Sequence, residues 1–583
     1  MPNSAKLLSF VKPYWFLALL APLSMIVEVA MDLMQPRLLQ RIIDSGIGHR
    51  DMHVVLHTGV LMLICAVAGM IGGAGCSVIA VRAGIAVGTD LRSAVFARLQ
   101  SFSFGNLDSL ESGSLITRLT NDVGQVQNLV LMMLRAMVRA PLLLIGSLIM
   151  AVTTSPLLSL LYIVLVPVVG GIVVLSIKLT YPLFGEAQKR LDALNTVLQE
   201  NLAGVRVVKA FARAAHEIER FSVANLRLTD QNILAARLSA LTMPLMTTAL
   251  NAGVVAVLWS GGYRVASGHL QVGQLIAFVN YLGQTLMSMM FVSMLMVQVS
   301  RAEVSAKRVV EVLETKPMIV DPAEPAPASE QRGRVEFDAV TFSYAGDGRD
   351  PVLKNASFVA EPGQTVAILG ATGSGKSTVV HLVARFYDVT GGQVKVAGVD
   401  VRDLASDELR EIVGVALQEA VLFSGTIRDN IRYARPGATD DEVREVARVA
   451  QIDDYVRGLP DGYDAVVGQR GVNLSGGQKQ RLALARVLMA RPDVLLLDDA
   501  TSAVDVQTEA TIHEAMARRQ SGQTIIMVAQ RIRTVTHADK IVVLEDGRVV
   551  GEGPHEELLA DCPVYREIYE SQTDERTVVH GAN

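Results

Sequence analysis

Thr365-Val366-Ala367-Ile368-Leu369-Gly370-Ala371-Thr372-Gly373-Ser374-Gly375-Lys376-Ser377-Thr378 decides how the second half of this chain folds. The opening apolar run predicts a buried strand, and the octet from Gly370 to Ser377 has the spacing G-x-x-x-x-G-K-S of a phosphate loop. Glycines at these positions let backbone N–H groups converge on phosphate oxygens, and the helix that comes next points its positive end at the same place. Lys376 is the residue placed for β- and γ-phosphates, and Ser377 for magnesium. Such an octet also arises by chance in unrelated loops, but the strand before it and the helix after it argue against chance.

A second strand, Val494-Leu495-Leu496-Leu497, ends in Asp498. A carboxylate at the C-terminal end of a strand is where an open α/β sheet puts a magnesium-directed group. Between the two elements lies Leu474-Ser475-Gly476-Gly477-Gln478, before a basic and apolar helix. Ser475 is a good N-cap, and the glycines leave the first helical amides open to an anion.

Outward from this core the composition changes. The chain has 583 residues, half of them hydrophobic and 19% charged. Its mean hydropathy is +0.35, a balance that favours a membrane protein. The net charge of −5 points away from nucleic acid as a partner. Cys65, Cys76 and Cys562 form neither a disulfide framework nor a metal pattern.

The apolar material falls in six runs in the first half. The first starts near Tyr14 and passes Glu28 and Asp32 towards Ile47. Residues 58–81 form the second, 140–177 the third and fourth, 238–263 the fifth and 271–300 the sixth. The shared run breaks at Thr153-Thr154-Ser155-Pro156. About 20 apolar residues let a helix cross a bilayer, so six helical spans are expected. The first reads as a retained span, with no cleavage pattern behind it.

Basic residues lie before the first span (Lys6, Lys12) and in the loops after the second and the fourth, such as Arg82, Arg92, Arg98, Lys189, Arg190 and Arg206. That places the N-terminus, both long loops and the second half in the cytoplasm of a cell-membrane protein. The loops read as helical extensions with tips at 104–112 and 204–212. The expected domains are 1–315 (membrane, all-α), 316–332 (a proline-rich linker), 333–572 (α/β) and 573–583 (a loose polar tail).

Here a resemblance becomes specific. Gly370–Ser377, Gln418, Leu474–Gln478, Asp498 and Ala503-Val504-Asp505 stand in the order of an ABC-transporter nucleotide-binding domain. Tyr344 matches the residue that stacks on adenine in that family, and Leu422-Phe423-Ser424-Gly425-Thr426-Ile427 is similar to the exporter branch. Six spans fused ahead of one such domain resemble an exporter half-transporter. The resemblance implies ATP and Mg2+ as cofactors, with Ser377, Gln418 and Asp498 at the metal and Asp505 in the D-loop. It also implies a dimer in which each site pairs the Walker motifs of one chain with the Leu474–Gln478 signature of the other. The loop tips would pass closure to the membrane helices.

Two positions depart from the family. Asp499 stands where Glu usually follows the Walker B Asp and orients the attacking water, and Gln530 stands where a switch His contacts the γ-phosphate. Asp499 withdraws its carboxylate by one methylene, and displacements on that scale cost on the order of 100-fold. The alternative is that a small backbone shift restores its reach. Gln530 keeps a neutral donor and loses the imidazole's protonation range. Together these resemble the degenerate-site subunit of bacterial heterodimeric multidrug exporters, whose intact signature completes a partner's site. A homodimer with two slow sites is the alternative.

In the membrane, Glu28 and Asp32 share a helix face. They read as a cation-attracting or gating pair, or as a structural pair neutralised by a residue such as Arg37. Met287, Met290 and Met294, with Phe291 nearby, recur at helical spacing and suit either an adaptable apolar cavity or ordinary packing. The expected substrate is an amphipathic drug or lipid. A dedicated exporter of one peptide, lipid or siderophore, or a nucleotide-gated regulatory protein, is the alternative.

Overall fold

The computed structural model describes residues 6–110, 112–345, 350–519 and 522–580. The chain divides into two compact units: one is Met1–Gln100 with Ser112–Thr315, the other Ser101–Glu111 with Lys316–Asn583.

The first unit is all helical. Among the described residues, six helices are long and apolar enough to cross a membrane: Leu8–Ile47, Met52–Gln100, Gly113–Thr154, Leu158–Ala203, Ala214–Ala266 and Val272–Val292. The break expected in the run shared by the third and fourth spans falls between Thr154 and Leu158. Ser155, just before Pro156, is extended (φ −154°, ψ 98°), as a residue before proline prefers. The first two helices approach closely because Gly72 lies under the first: a Cβ there would sit 3.0 Å from the Ser24 carbonyl and 3.1 Å from the Glu28 amide. Ala21, Met25, Cys76 and Ala80 pack around that contact.

Glu28 and Asp32 are bonded by Arg139, from the third helix, with Asp32 Oδ2 at 3.0 Å. Of the partners open to this pair, Arg37 among them, it is Arg139 that bonds both acids. Elsewhere in this unit, Arg308 bonds the buried Asp122 through Nε at 2.7 Å.

The second unit is α/β. Its main sheet has six strands, in the order Arg548–Gly553, Lys540–Glu545, Thr365–Gly370, Thr524–Val528, Val494–Asp498, Val413–Ala416. All neighbours are parallel except the first pair. Alternate side chains feed two cores: Ala367, Leu369, Leu495 and Leu497 enter one, and Val366, Ile368, Val494 and Leu496 the other. The strands Val494–Asp498 and Thr524–Val528 are buried throughout, as central parallel strands are. A four-stranded antiparallel sheet led by Val335–Phe342 flanks the second core.

Within this unit Ser101–Glu111 brings the short helix Phe104–Ser109. Phe104 stacks on Phe386 with centroids 4.3 Å apart, and Asp108 accepts a hydrogen bond from Tyr387. The end of the chain departs from expectation: residues 573–580 continue the helix Pro563–His580 instead of forming a loose tail. Pro563 sits at the start, where its ring suits the first turn, and no glycine or proline interrupts the remaining turns.

Candidate nucleotide site

Sheet order assembles the site. The strand Thr524–Val528 lies between Thr365–Gly370 and Val494–Asp498, with Val528 beside both Ile368 and Asp498. The phosphate loop, Asp498-Asp499 and Gln530 therefore leave one edge of the sheet at neighbouring C-terminal ends, the usual location for ligands in open α/β sheets.

The loop is built for close backbone approach. A Cβ on Gly370 would meet the Leu544 carbonyl at 2.2 Å, and Gly375 stands at φ +100° with Leu353 against it. Lys376 is buried, its Nζ bonding back to the carbonyls of Gly370 (2.9 Å) and Ala371 (2.8 Å). Burial lowers its pKa below the ordinary lysine value, against the opposing pull of Asp499 and Asp498. The Ser374 hydroxyl is buried with no partner among the described residues. A buried ammonium, an unpartnered hydroxyl and a glycine cradle fit a phosphate group.

Ser377 Oγ donates to Asp498 Oδ1 at 2.8 Å, which joins two of the three residues expected at magnesium. The third, Gln418, is exposed just past the strand Val413–Ala416 and is bonded to neither among the described residues. No cluster of three or more His, Cys, Asp or Glu side chains among the described residues could hold a metal by itself. The Tyr344 hydroxyl pairs with Thr378 Oγ1 at 3.1 Å and with His381 Nδ1 at 3.4 Å, and its ring stands edge-on to Phe342 and Tyr387.

Asp499 has φ +48°, a conformation that Asp tolerates better than most residues. Its Oδ2 accepts a hydrogen bond from Gln530 Nε2 at 3.2 Å. Burial first, and the charge of Asp498 second, raise its pKa above the ordinary carboxylate value. Behind it lies a cavity of about 220 Å³ bordered by Asp499, Thr501, Glu509, His513 and Gln530. Glu509 accepts from Thr501 (2.7 Å) and Thr534 (3.3 Å) and pairs with Arg531 at 3.5 Å, so it ties the segment after Asp499 to the one after Gln530.

The signature segment lies apart from this cluster. Ser475 caps the helix Gly476–Ala490: its Oγ accepts from the Gln478 amide (3.3 Å), and its own amide donates to Gln478 Oε1 (2.8 Å). Leu474 packs on the adjoining core. Gly477 lies so close to the Ala503 carbonyl that a Cβ would sit 2.8 Å from it. Asp505 caps the next helix, accepting from the Thr508 amide at 2.9 Å. No hydrogen bond joins residues 474–478 to residues 370–378 among the described residues, and Ser475 and Gly476 face outward.

Of the membrane candidates, Met290 packs partly against the core around Tyr162 and Phe278, while Met287 and Phe291 are exposed. The Met294 side chain lies outside the described residues. Sequence reasoning counted Arg139 only among the basic residues of a loop, and passed over Glu509, Tyr387 and Gln572. Only Tyr387 carries a local signal, as an aromatic beside Phe386 just beyond the phosphate-loop helix.

Comparison with known proteins agrees with this architecture. Residues 18–289 match the family described as the ABC transporter transmembrane region, and residues 353–502 match the ABC transporter family. The chain is 41% identical over 97% of its length, and 98% of the relative's, to the uncharacterized ABC transporter ATP-binding protein YfiB of Bacillus subtilis. It is 37% identical over 92% of its length to a multidrug efflux ATP-binding/permease protein of Mycobacterium bovis, 45% of which it covers. The solved structure of a bacterial Atm1-family ABC exporter with ATP bound is 28% identical, with a TM-score of 0.80 over 95% of this chain and 97% of that one. This chain therefore belongs to the ABC transporter family, as a multi-pass membrane exporter subunit whose ATP-binding domain couples ATP hydrolysis to transport.

Proposed function

We propose that this chain is one half of a heterodimeric exporter of amphipathic compounds, holding ATP on its own Walker face and lending its signature face to hydrolysis on a partner. The observation that carries this reading is the bond from Gln530 Nε2 to Asp499 Oδ2. A carboxylate already one methylene short has one oxygen engaged by an amide, and that lone pair is not directed at a water. The loop Gly370–Ser377 keeps its glycine cradle, with Lys376 and Ser377 both hydrogen-bonded within the site, and Ser475 keeps its cap.

Each residue then has its role. Tyr344 stacks on adenine, and Gly370, Thr372, Gly373, Ser374 and Gly375 offer backbone amides to phosphate oxygens while Lys376 supplies the positive charge. Thr378 holds the Tyr344 hydroxyl in place. Ser377, Asp498 and Gln418 would hold magnesium, which would offset the negative charge of the phosphates. Ser475, Gly476 and Gly477 present a capped helix N-terminus to the partner's nucleotide, and Asp505 steadies the segment between the two faces.

In the membrane, Glu28, Asp32 and Arg139 form a cluster with one more acid than base. That surplus favours cationic amphipathic substrates, with Met287, Phe291 and neighbouring apolar side chains as the adaptable surface. The multidrug relative agrees with this substrate class. It also leaves more than half of its length beyond the matched region, room for a second unit of similar size. The boundaries 1–315, 316–332 and 333–572, and a cytoplasmic N-terminus and ATP-binding domain, belong to the same proposal.

The test is co-purification of the tagged chain from its native membrane, with ATPase assays on the pair and on the chain alone. The reading requires a second, different subunit and a pair much faster than this chain. Comparable rates, or a homodimer as the only species, would overturn it.

A further inference from the structure

The switch segment is held from outside the nucleotide cluster, by the C-terminal helix. Gln572, on the helix Pro563–His580, accepts from the Ile532 amide through Oε1 and donates through Nε2 to the Gln530 carbonyl, both at 2.8 Å. These two backbone groups flank Arg531, which is extended (φ −98°, ψ 127°). A C=O and an N–H on either side of one extended residue form the face that a parallel strand would pair. The side-chain amide of Gln572 takes that strand's place. It also satisfies the Ile532 N–H, one of the first amides of the short helix Ile532–Val535, which have no intrahelical partner.

The helix itself is anchored. Tyr565 is fully buried, bonds His555 Nδ1 at 2.6 Å, and lies two turns before Gln572. From the clamped backbone the Gln530 side chain reaches Asp499 at 3.2 Å, near the limit of a hydrogen bond. A small drift of this segment would break that bond.

We propose that Gln572 is a positioning residue: the C-terminal helix sets, through it, the backbone from which Gln530 engages Asp499, and so sets how long nucleotide stays on this chain's Walker face. This rests on the reading of Asp499 and Gln530 as the catalytic end of the site.

The full chain, with the subunit it co-purifies with, is reconstituted in lipid nanodiscs and loaded with 8-azido-ATP radiolabelled at the α- or the γ-phosphate. A chase with unlabelled ATP, irradiation and gel separation then reads the lifetime of the label on this chain alone. Gln572→Ala is expected to shorten that lifetime roughly 5-fold, the worth of about one net hydrogen bond, while initial labelling stays unchanged. Gln572→Glu, which keeps the acceptor for Ile532 and loses the donor to Gln530, falls between. An unchanged lifetime in Gln572→Ala overturns the proposal. Loss of the γ-label ahead of the α-label in the wild-type chain would instead overturn the retention reading, and the ratio of variant to wild type would still judge Gln572.

Discussion

At the start of the helix Gly476–Ala490, Ser475 and Gln478 exchange hydrogen bonds, and the helical amides between them face outward. At the end of the strand Val494–Asp498, Asp499 instead turns into a left-handed conformation and is bonded by Gln530. Both regions handle phosphate chemistry in this family, and they lie in one unit on one core. The first satisfies itself locally and leaves its donors free for a ligand. The second commits a catalytic acceptor to an internal contact. Preorganised donors matter most where charge develops, and this contrast is what the proposed function rests on: one face of this domain for hydrolysis and the other for retention.

The largest effect that could break this comparison comes from the signature face. Gly477→Asp, which adds a Cβ 2.8 Å from the Ala503 carbonyl and a negative charge at the helix N-terminus, is expected to lower ATPase turnover of the pair by on the order of 100-fold. Lys376→Ala in the same assay is expected to cost no more than about 5-fold, since one lost contact on a retaining face removes little turnover. Equal losses would put both faces on the hydrolytic path.

Asp499→Glu returns the missing methylene. Turnover of this chain alone should rise on the order of 10-fold, and that of the pair by less than about 2-fold. A large gain in the pair would mean that this site limits the rate.

A smaller contrast lies in stability. Ser475→Ala removes half of a capping box and should cost about 1 kcal/mol, read as a lower melting temperature of the full chain in nanodiscs. Gln530→Ala loses one long, half-exposed bond and should cost under about 0.5 kcal/mol.

The smallest effect is a pH slope. Burial and Asp498 keep Asp499 protonated to higher pH in the folded chain than in the unfolded one. The native state then binds more protons in the window between the ordinary aspartate value and the raised one, and stability falls as pH rises through it. Asp499→Asn should remove that decline from the melting temperature measured across the mildly acidic range. A steeper decline in the variant would show that Asp499 is not its source.

Much of the site is legible along the chain because its chemistry is local. The strand Thr365–Gly370 and its glycine loop, and Ser475 with Gln478 three residues on, are short-range patterns with one stable conformation each. The six membrane helices are set by length and apolarity, since lipid leaves the backbone no other partner. The rest depends on contacts between residues far apart in sequence. Arg139 lies 107 residues from Asp32, and nothing in either helix names the other. Glu509 and Gln572 are ordinary polar residues on helices until folding brings them to the backbone around Arg531. The last turns of the C-terminal helix, residues 573–580, read as a polar tail because the residue that anchors the helix, Tyr565, acts only against the core it fills.

By itself, then, the sequence determined that the chain carries the motifs of an ATP-binding domain, that it crosses a membrane, and that Asp499 and Gln530 depart from the family pattern. Those are properties of residue type and spacing. Only the tertiary structure decided that Gln530 engages Asp499, that Gln572 holds the segment in place, and that Arg139 neutralises part of the acidic pair in the membrane. Each of these depends on the strand order and helix packing that bring distant polar groups within hydrogen-bond reach.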